Sequence, residues 1–321
     1  MTARVPRLAT GALVIAAAAT AVAGLPGCGG GGRDDDDAAM TVRRPASPPA
    51  LCGRLSVRDV GRIEDTEAVE LSGLVASRTR RGILWAHNDS GDRPRLFALT
   101  TRARVLGSFE VTGAQAQDWE DIATGPAPGG AGGGAVLYAA DIGDNDARRD
   151  AVVVYRVPEP DPSSGGGATA PAGALTLRYP DGPHDAEALL VDPRRARLAI
   201  VTKSLDGEAG VYTTSIPTAL PARRTLRRAG AVALGLANPV TAGDVSADGS
   251  IVVLRSYSRL FAWNRAPGES LARTLRRPPC ASPTALGDPQ GEAVALVRAG
   301  RVALTVSEGS RPALRRYTPA P

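Results

Sequence analysis

Histidine is almost absent from this chain: His87 and His184 are the only two. They form no HExxH pair, and the sequence has neither a glycine-rich phosphate loop nor a Gly-x-Ser-x-Gly elbow. Zinc protease, kinase and serine hydrolase readings are therefore disfavoured. Cysteine is nearly as scarce, with Cys28, Cys52 and Cys280 as the full set. Aromatics are few as well, at three Trp, six Tyr and three Phe. The net charge of +5 comes from arginines scattered along the chain. With no clustered basic face legible, nucleic acid is not implied as a partner.

One long apolar run exists, from Leu8 to Val22, preceded by Arg4 and Arg7 and followed by Leu25-Pro26-Gly27-Cys28. This is the pattern of an export signal. Its ending resembles a lipobox, which makes residues 1–28 a lipoprotein-type signal peptide and Cys28 the lipidated residue. An ordinary cleaved signal and an uncleaved membrane anchor are the alternatives. One acyl chain binds a membrane only marginally, so stable attachment needs the two or three that lipoproteins carry. Residues 29–50 hold a glycine run, Asp34 to Asp37, and Pro45, Pro48 and Pro49, with almost nothing to bury. They read as a tether that, as a flexible coil, spans on the order of 25 Å. The aspartate run reads as solvated charge rather than a metal site. The expected location is the cell envelope, outside the cytoplasm and lipid-anchored. In that oxidising compartment Cys52 and Cys280 are expected to pair.

Residues 51–321 carry an internal repeat, which decides the architecture. Five apolar runs read as buried strands: Ile83 to Ala86, Val136 to Ala139, Leu198 to Val201, Ile251 to Leu254 and Val302 to Thr305. After each comes a strand with one aromatic, Phe97, Tyr155, Tyr212, Phe261 and Tyr317, at separations of 58, 57, 49 and 56 residues. Ahead of each lies another strand, opening at Leu71, Glu120, Glu187, Asp244 and Glu292. A fourth strand follows in four units: Val105 to Val111, Leu175 to Tyr179, Gly230 to Leu234 and Leu271 to Leu275. The fifth unit runs out of chain, and Val57 to Ile63 supplies the missing strand from the other end. The predicted fold is all-β, a β-propeller of five four-stranded blades closed by an N-terminal strand that completes the last blade. Six blades is the alternative if the long second unit hides another, although its surplus, residues 161–174, reads as a surface loop. The pair Cys52 and Cys280 falls near the seam.

In this architecture the starts of the inner strands and the turns between second and third strands meet at one mouth of the channel. The first set is Asp118, Glu120, Asp121, His184, Asp185, Glu187, Asp244 and Glu292. The second includes His87, Asn88, Asp89, Asp92, Asp141, Asp144, Asn145, Asp146, Lys203, Arg255, Tyr257 and Glu308. Carboxylates outnumber cations, and hard oxygen donors suit calcium better than zinc. Crowded carboxylates without a cation are expected to show raised pKa values or to pair with Lys203 and Arg255. The loops 87–92 and 141–146 superficially resemble calcium loops. The commoner reading of both is a turn in which Asp and Asn cap backbone groups and Gly takes positive φ. Glu120, Glu187, Asp244 and Glu292 read either as a functional ring or as structural salt bridging. Buried packing is expected for Trp85 and Trp119, and packing between blades for Trp263.

Ser72-Gly73-Leu74, His87-Asn88-Asp89, the run Asp118 to Ala123, the strand starts at Glu187 and Glu292, and Gly243-Asp244 followed by Asp248-Gly249 carry a resemblance. Over residues 66–310 the chain resembles exported bacterial propellers akin to the phytase-like and gluconolactonase-like families. Those families usually have six blades. The resemblance implies a calcium or other divalent ion in the channel, with Glu120, Asp144, Asn145, Glu187 and Asp244 as metal candidates. It further implies hydrolysis of phosphoesters or lactones, with Lys203 and Arg255 as binders of an anionic substrate. By their place at the predicted mouth Glu187 and His184 join these two as catalytic candidates, although a hydrogen-bonded structural imidazole is the commoner fate of a histidine. Fold alone does not confer activity. Three functions stay open: a monomeric surface module binding a protein, glycan or small anionic ligand; a calcium-dependent hydrolase; and a structural envelope component.

Overall fold

The computed structural model describes residues 50–128, 134–284, 286–288 and 290–321. The expected signal peptide, Cys28 and the tether up to residue 49 lie outside the described residues. From residue 50 onward the fold is a five-bladed β-propeller.

The described part opens with a 3-10 turn, Ala50–Cys52, and β1 (Leu55–Arg62). Blade 1 follows as β2 (Leu71–Ala76), β3 (Ile83–Asn88), β4 (Arg95–Thr100) and β5 (Val105–Glu110). Blade 2 is β6 (Trp119–Pro126), β7 (Ala135–Asp141) and β8 (Val152–Pro158), then, after β9 (Gly166–Ala168), β10 (Gly173–Arg178). Blade 3 is β11 (Ala186–Val191), β12 (Arg197–Thr202) and β13 (Glu208–Ser215), then, after β14 (Ala222–Thr225), β15 (Arg227–Ala233). Blade 4 is β16 (Ala242–Val245), β17 (Ile251–Arg255) and β18 (Leu260–Asn264), then α1 (Leu271–Leu275) and β19 (Cys280–Ala281). Blade 5 is β20 (Gly291–Val297), β21 (Val302–Ser307) and β22 (Ala313–Pro319), with β1 antiparallel to β22 as its outer strand. The ring closes as the repeat requires. The inner strands β2, β6, β11, β16 and β20 each pack against the next, and β20 packs against β2.

Each inner strand is covered on both faces, so it reads as an unbroken apolar run rather than an alternating one. Four of β16's four residues and six of β20's seven are buried. The core is accordingly radial, with five apolar clusters that each lie between neighbouring blades. Trp85, Phe109, Ile122 and Tyr155 fill the space between blades 1 and 2. Trp263 with Val211 and Leu190 fills that between blades 3 and 4. All three tryptophans are buried, and so are the five aromatics of the repeat, each on the third strand of its blade.

Polar side chains stitch the inner strands around the axis. Ser72 Oγ donates to Glu120 O at 2.8 Å, and Thr241 Oγ1 donates to Gly291 O at 2.9 Å. Asp121 Oδ2 accepts from the amides of Leu189 at 2.8 Å and Gly243 at 3.3 Å, tying blade 2 to blades 3 and 4. Cys52 and Cys280 form a disulfide with Cα atoms 5.5 Å apart, linking the lead into β1 to the outer strand of blade 4.

Two details differ from the repeat read in the sequence. Leu271 to Leu275 is a helix, not the outer strand of blade 4, because Ser270 caps it and Leu271, Ala272, Thr274 and Leu275 bury one helical face. The outer strand falls instead at Cys280–Ala281. Residues 161–174 are more than a surface loop, since β9 adds to blade 1 as a fifth, parallel strand. β14 does the same to blade 2. The first addition needs glycine on both sides: a Cβ on Gly107 would run into the backbone of Gly165 and Gly166, and Gly165 itself sits at φ 77°.

Candidate functional site

The second residue of the inner strand is a β-bulge in four blades, at Ser72, Glu120, Glu187 and Glu292. A bulge re-aims the side chain of its extra residue, and at this position three of the four are glutamates. In blade 4 the register is unbroken and Gly243 takes the equivalent place. Two residues before Glu120 and Glu187 stand Asp118 and Asp185, so the motif Asp-x-Glu occurs in two adjacent blades.

These groups converge with Asp89, from the turn after β3. One carboxylate oxygen each of Asp89, Asp118 and Glu120 lies within 4.8 Å of the others, and the same holds for Glu120, Asp185 and Glu187. Glu120 belongs to both sets. Gly143 makes room for them, because a Cβ there would collide with Glu120 Oε1 and the Asp118 carboxylate. Every donor is a carboxylate oxygen, the chemistry of a hard cation. Glu187 is 2% exposed, and its Oε2 is buried without a hydrogen-bond partner.

The electrostatics follow from burial and mutual repulsion. Burial, then Asp89 and Asp185, pushes Asp118 up to about 6. Burial with Glu187, Asp89 and Asp118 nearby holds Glu120 well above the usual carboxylate range. Burial raises Glu187 to about 8 against the opposing pull of Lys203. Burial with Glu292 and Asp89 raises Glu308 to about 7. Lys203 Nζ donates to Glu187 Oε1. Burial works against the ammonium, but Glu187 holds its pKa above the ordinary lysine value.

The propeller geometry is the frame for the comparisons. The chain matches no protein-family model and no curated protein. Among solved structures it is similar to RRP9 WD40 repeats, with a TM-score of 0.42 at 10% identity, over 85% of this chain and 99% of that one. It is also similar to U3-55K, with a TM-score of 0.37 at 14% identity, over 77% of this chain and 67% of that one. Likeness at this level carries nothing about ligands.

Of the five metal candidates read from the sequence, Glu120 and Glu187 are brought together and three are not. Asp244 lies farther along its strand, where Oδ1 accepts from Val245 N and Oδ2 from Leu296 N, both at 2.7 Å. Asp144 caps the amides of Arg148 and Arg149 at 2.9 and 2.8 Å, and Asn145 is exposed beside it. Asp89, Asp118 and Asp185 take their place in the cluster, and the Asp-x-Glu repeat was the signal for two of them. Both acidic loops are mostly turns. Asp92 pairs with Arg95 at 2.8 Å, and Asp141 accepts from Asp118 N at 3.1 Å and pairs with Arg149 at 2.8 Å.

Among the catalytic candidates, Arg255 is 0% exposed and fully engaged: Nη1 donates to Ala293 O at 2.7 Å, Nε to Ser256 O at 3.3 Å and Nη2 to Asp288 at 3.1 Å. It locks blade 4 to blade 5. His184 belongs to a separate cluster, with Nε2 at 3.0 Å from Asp181 and 2.8 Å from Tyr212 Oη. His87 is buried beside Trp119, its Nδ1 hydrogen-bonded to Asn88 O at 2.8 Å. Lys203 is the one candidate cation that both reaches the cluster and keeps a partly exposed side chain, at 24%.

Of the apolar rim, the sequence pointed to Tyr257 but not to Leu205 or Leu236. Four large apolar side chains are exposed among the described residues, Val57, Leu205, Leu236 and Tyr257. Leu205 and Leu236 are 71% and 77% exposed on adjoining loops, joined by Ala237 N donating to Leu205 O. Tyr257 lies with its ring centroid 5.8 Å from Lys203 Nζ. Tyr257 thus lies beside Lys203 at the carboxylate mouth, and Leu205 follows Lys203 by two residues.

Proposed function

We propose that the propeller is a binding module whose ligand sits on the carboxylate mouth and its apolar rim, with calcium as the bridging cation. The observation that carries this reading is Tyr257 beside the partly exposed Lys203 at the mouth, with Leu205 and Leu236 exposed on adjoining loops. Exposed apolar groups in a cluster mark interaction sites, whereas scattered ones do not. Calcium takes six to eight oxygens. Asp89, Asp118, Glu120, Asp185 and Glu187 would hold it, and ligand oxygens would complete its shell. The resemblance to phytase-like and gluconolactonase-like propellers supports a cation at this place. A calcium-dependent hydrolase of phosphoesters or lactones is the second reading, favoured by carboxyls such as Asp118 poised near 6. The burial of Arg255 and the separation of His184 from the cluster count against it. In both readings the chain is exported and held by lipid on Cys28.

The test is elemental analysis of the purified chain together with its melting temperature with and without a chelator. Stoichiometric calcium, a melting point lowered by its removal, and loss of both in Glu187→Gln are expected. No metal and no shift would overturn the cation, and with it both readings as framed. A screen of phosphoesters and lactones on the calcium-loaded chain separates them, the binding module being expected to turn over none.

A further inference from the structure

At the other end of the channel the charge is reversed. There the C-terminal ends of the inner strands of blades 1, 4 and 5, with Thr124 of blade 2, border a cavity of about 970 Å³. Six arginines line it: Arg58, Arg78, Arg81, Arg102, Arg298 and Arg316. They come from sequence positions up to 258 residues apart, and only the fold assembles them. One acid lines the cavity, Asp244; both its oxygens accept from backbone amides, and it attracts the Arg78 guanidinium without forming an ion pair with it.

None of the six forms an ion pair among the described residues, although fifteen such pairs occur elsewhere in the molecule. Arg78 Nη2 donates to Val245 O at 3.3 Å and is thereby turned toward the floor. Arg316 is half-buried, and its Nε is enclosed without a hydrogen-bond partner. Burial, and then Arg298, Arg58 and Arg102, draws its pKa below the usual arginine value. Arg78 and Arg316 are half-buried while Arg58, Arg81, Arg102 and Arg298 reach the cavity from its exposed rim; like charges gathered in one concavity repel, and guanidinium forks pair best with oxyanions, in bidentate fashion.

We propose that this cavity binds a ligand carrying two or more phosphoryl groups. Phosphoryl groups supply the charge density that six unpaired guanidiniums require, and the volume suits a ligand of small-molecule size. A free polyphosphorylated compound and a phosphate-rich lipid headgroup share this chemistry. The site is independent of the calcium reading, being built from different residues at the opposite mouth.

Calorimetric titration of the full chain with inorganic tripolyphosphate, in EDTA so that calcium plays no part, tests the proposal. One-to-one binding is expected, weakened at least about tenfold, or about 1.4 kcal/mol, in Arg78→Gln/Arg316→Gln. The exposed pair Arg81→Gln/Arg298→Gln should do the same without risk to the fold, and Glu187→Gln should leave binding unchanged. Dissociation constants weaker than about 1 mM, or retention of affinity in the exposed double variant, would overturn the site. Sedimentation with vesicles containing cardiolipin, whose headgroup carries two phosphates, competed by tripolyphosphate, would assign the lipid source. Tripolyphosphate binding without sedimentation would assign the soluble one, and either result upholds the site.

Discussion

Arg58 and Arg316 stand directly opposite each other in the antiparallel pair that closes the propeller. A closing strand is where pairing strength matters most, yet this pair is like-charged and faces the arginine-lined cavity. Directly opposed like charges destabilise a sheet, and opposite charges stabilise it by about 0.2–1 kcal/mol. Arg58→Glu should therefore raise stability by about that amount in urea denaturation while weakening tripolyphosphate binding. A variant that is destabilised, or that binds as before, would show that the pair has no bearing on the cavity.

The carboxylate mouth makes a pH prediction. Asp118, Glu308 and Glu187 have folded-state values raised to about 6, 7 and 8, so the folded chain holds these protons more tightly than the unfolded one. Stability is then greatest below the unfolded values near 4 and falls as pH rises through the folded ones. With chelator present, the melting temperature should decline between about pH 4.5 and 8. Added calcium should flatten that decline. A melting temperature that climbs across the same range without calcium would contradict the assignment.

Asp121 accepts from three amides, those of Ile122, Leu189 and Gly243. In Asp121→Asn one oxygen becomes an NH2 facing an amide N–H inside a buried site. A cost on the order of 3 kcal/mol is expected from chemical denaturation, with blades 2, 3 and 4 losing hydrogen-exchange protection together at their inner strands. A cost under about 1 kcal/mol would mean that the stitch is dispensable.

The Cys52–Cys280 bridge closes a loop of 228 residues in sequence. Replacing both cysteines by serine should cost about 2–5 kcal/mol, chiefly by freeing the unfolded chain. The loss should appear as a lower denaturation midpoint with the fold retained, because β1 still pairs with β22.

Much of the fold was legible because propeller blades repeat, and each repeat must bury an inner strand on both faces. The apolar runs, the five periodic aromatics and the displaced closing strand all follow from that need. The segment Leu271 to Leu275 was misread because five residues with apolar ends fit a short strand and a helical turn equally well. Only the Ser270 cap and the packing of one face separate the two. β9 and β14 were invisible because their partners are edges of other blades, and neither the glycine-rich β9 nor the arginine-bearing β14 carries an apolar pattern.

At the functional sites the division is sharper. That acids would crowd one mouth was determined by the chain itself, since strand starts and turns carry Asp and Glu in four of the five units. Which acids meet was decided by the bulges: they set Glu120, Glu187 and Glu292 at one equivalent position. The unbulged strand of blade 4 carries Asp244 toward the opposite end. The arginine cavity is a product of tertiary structure alone. Its members are scattered from residue 58 to residue 316, and ring closure, which sets β1 beside β22, is what brings those two ends together.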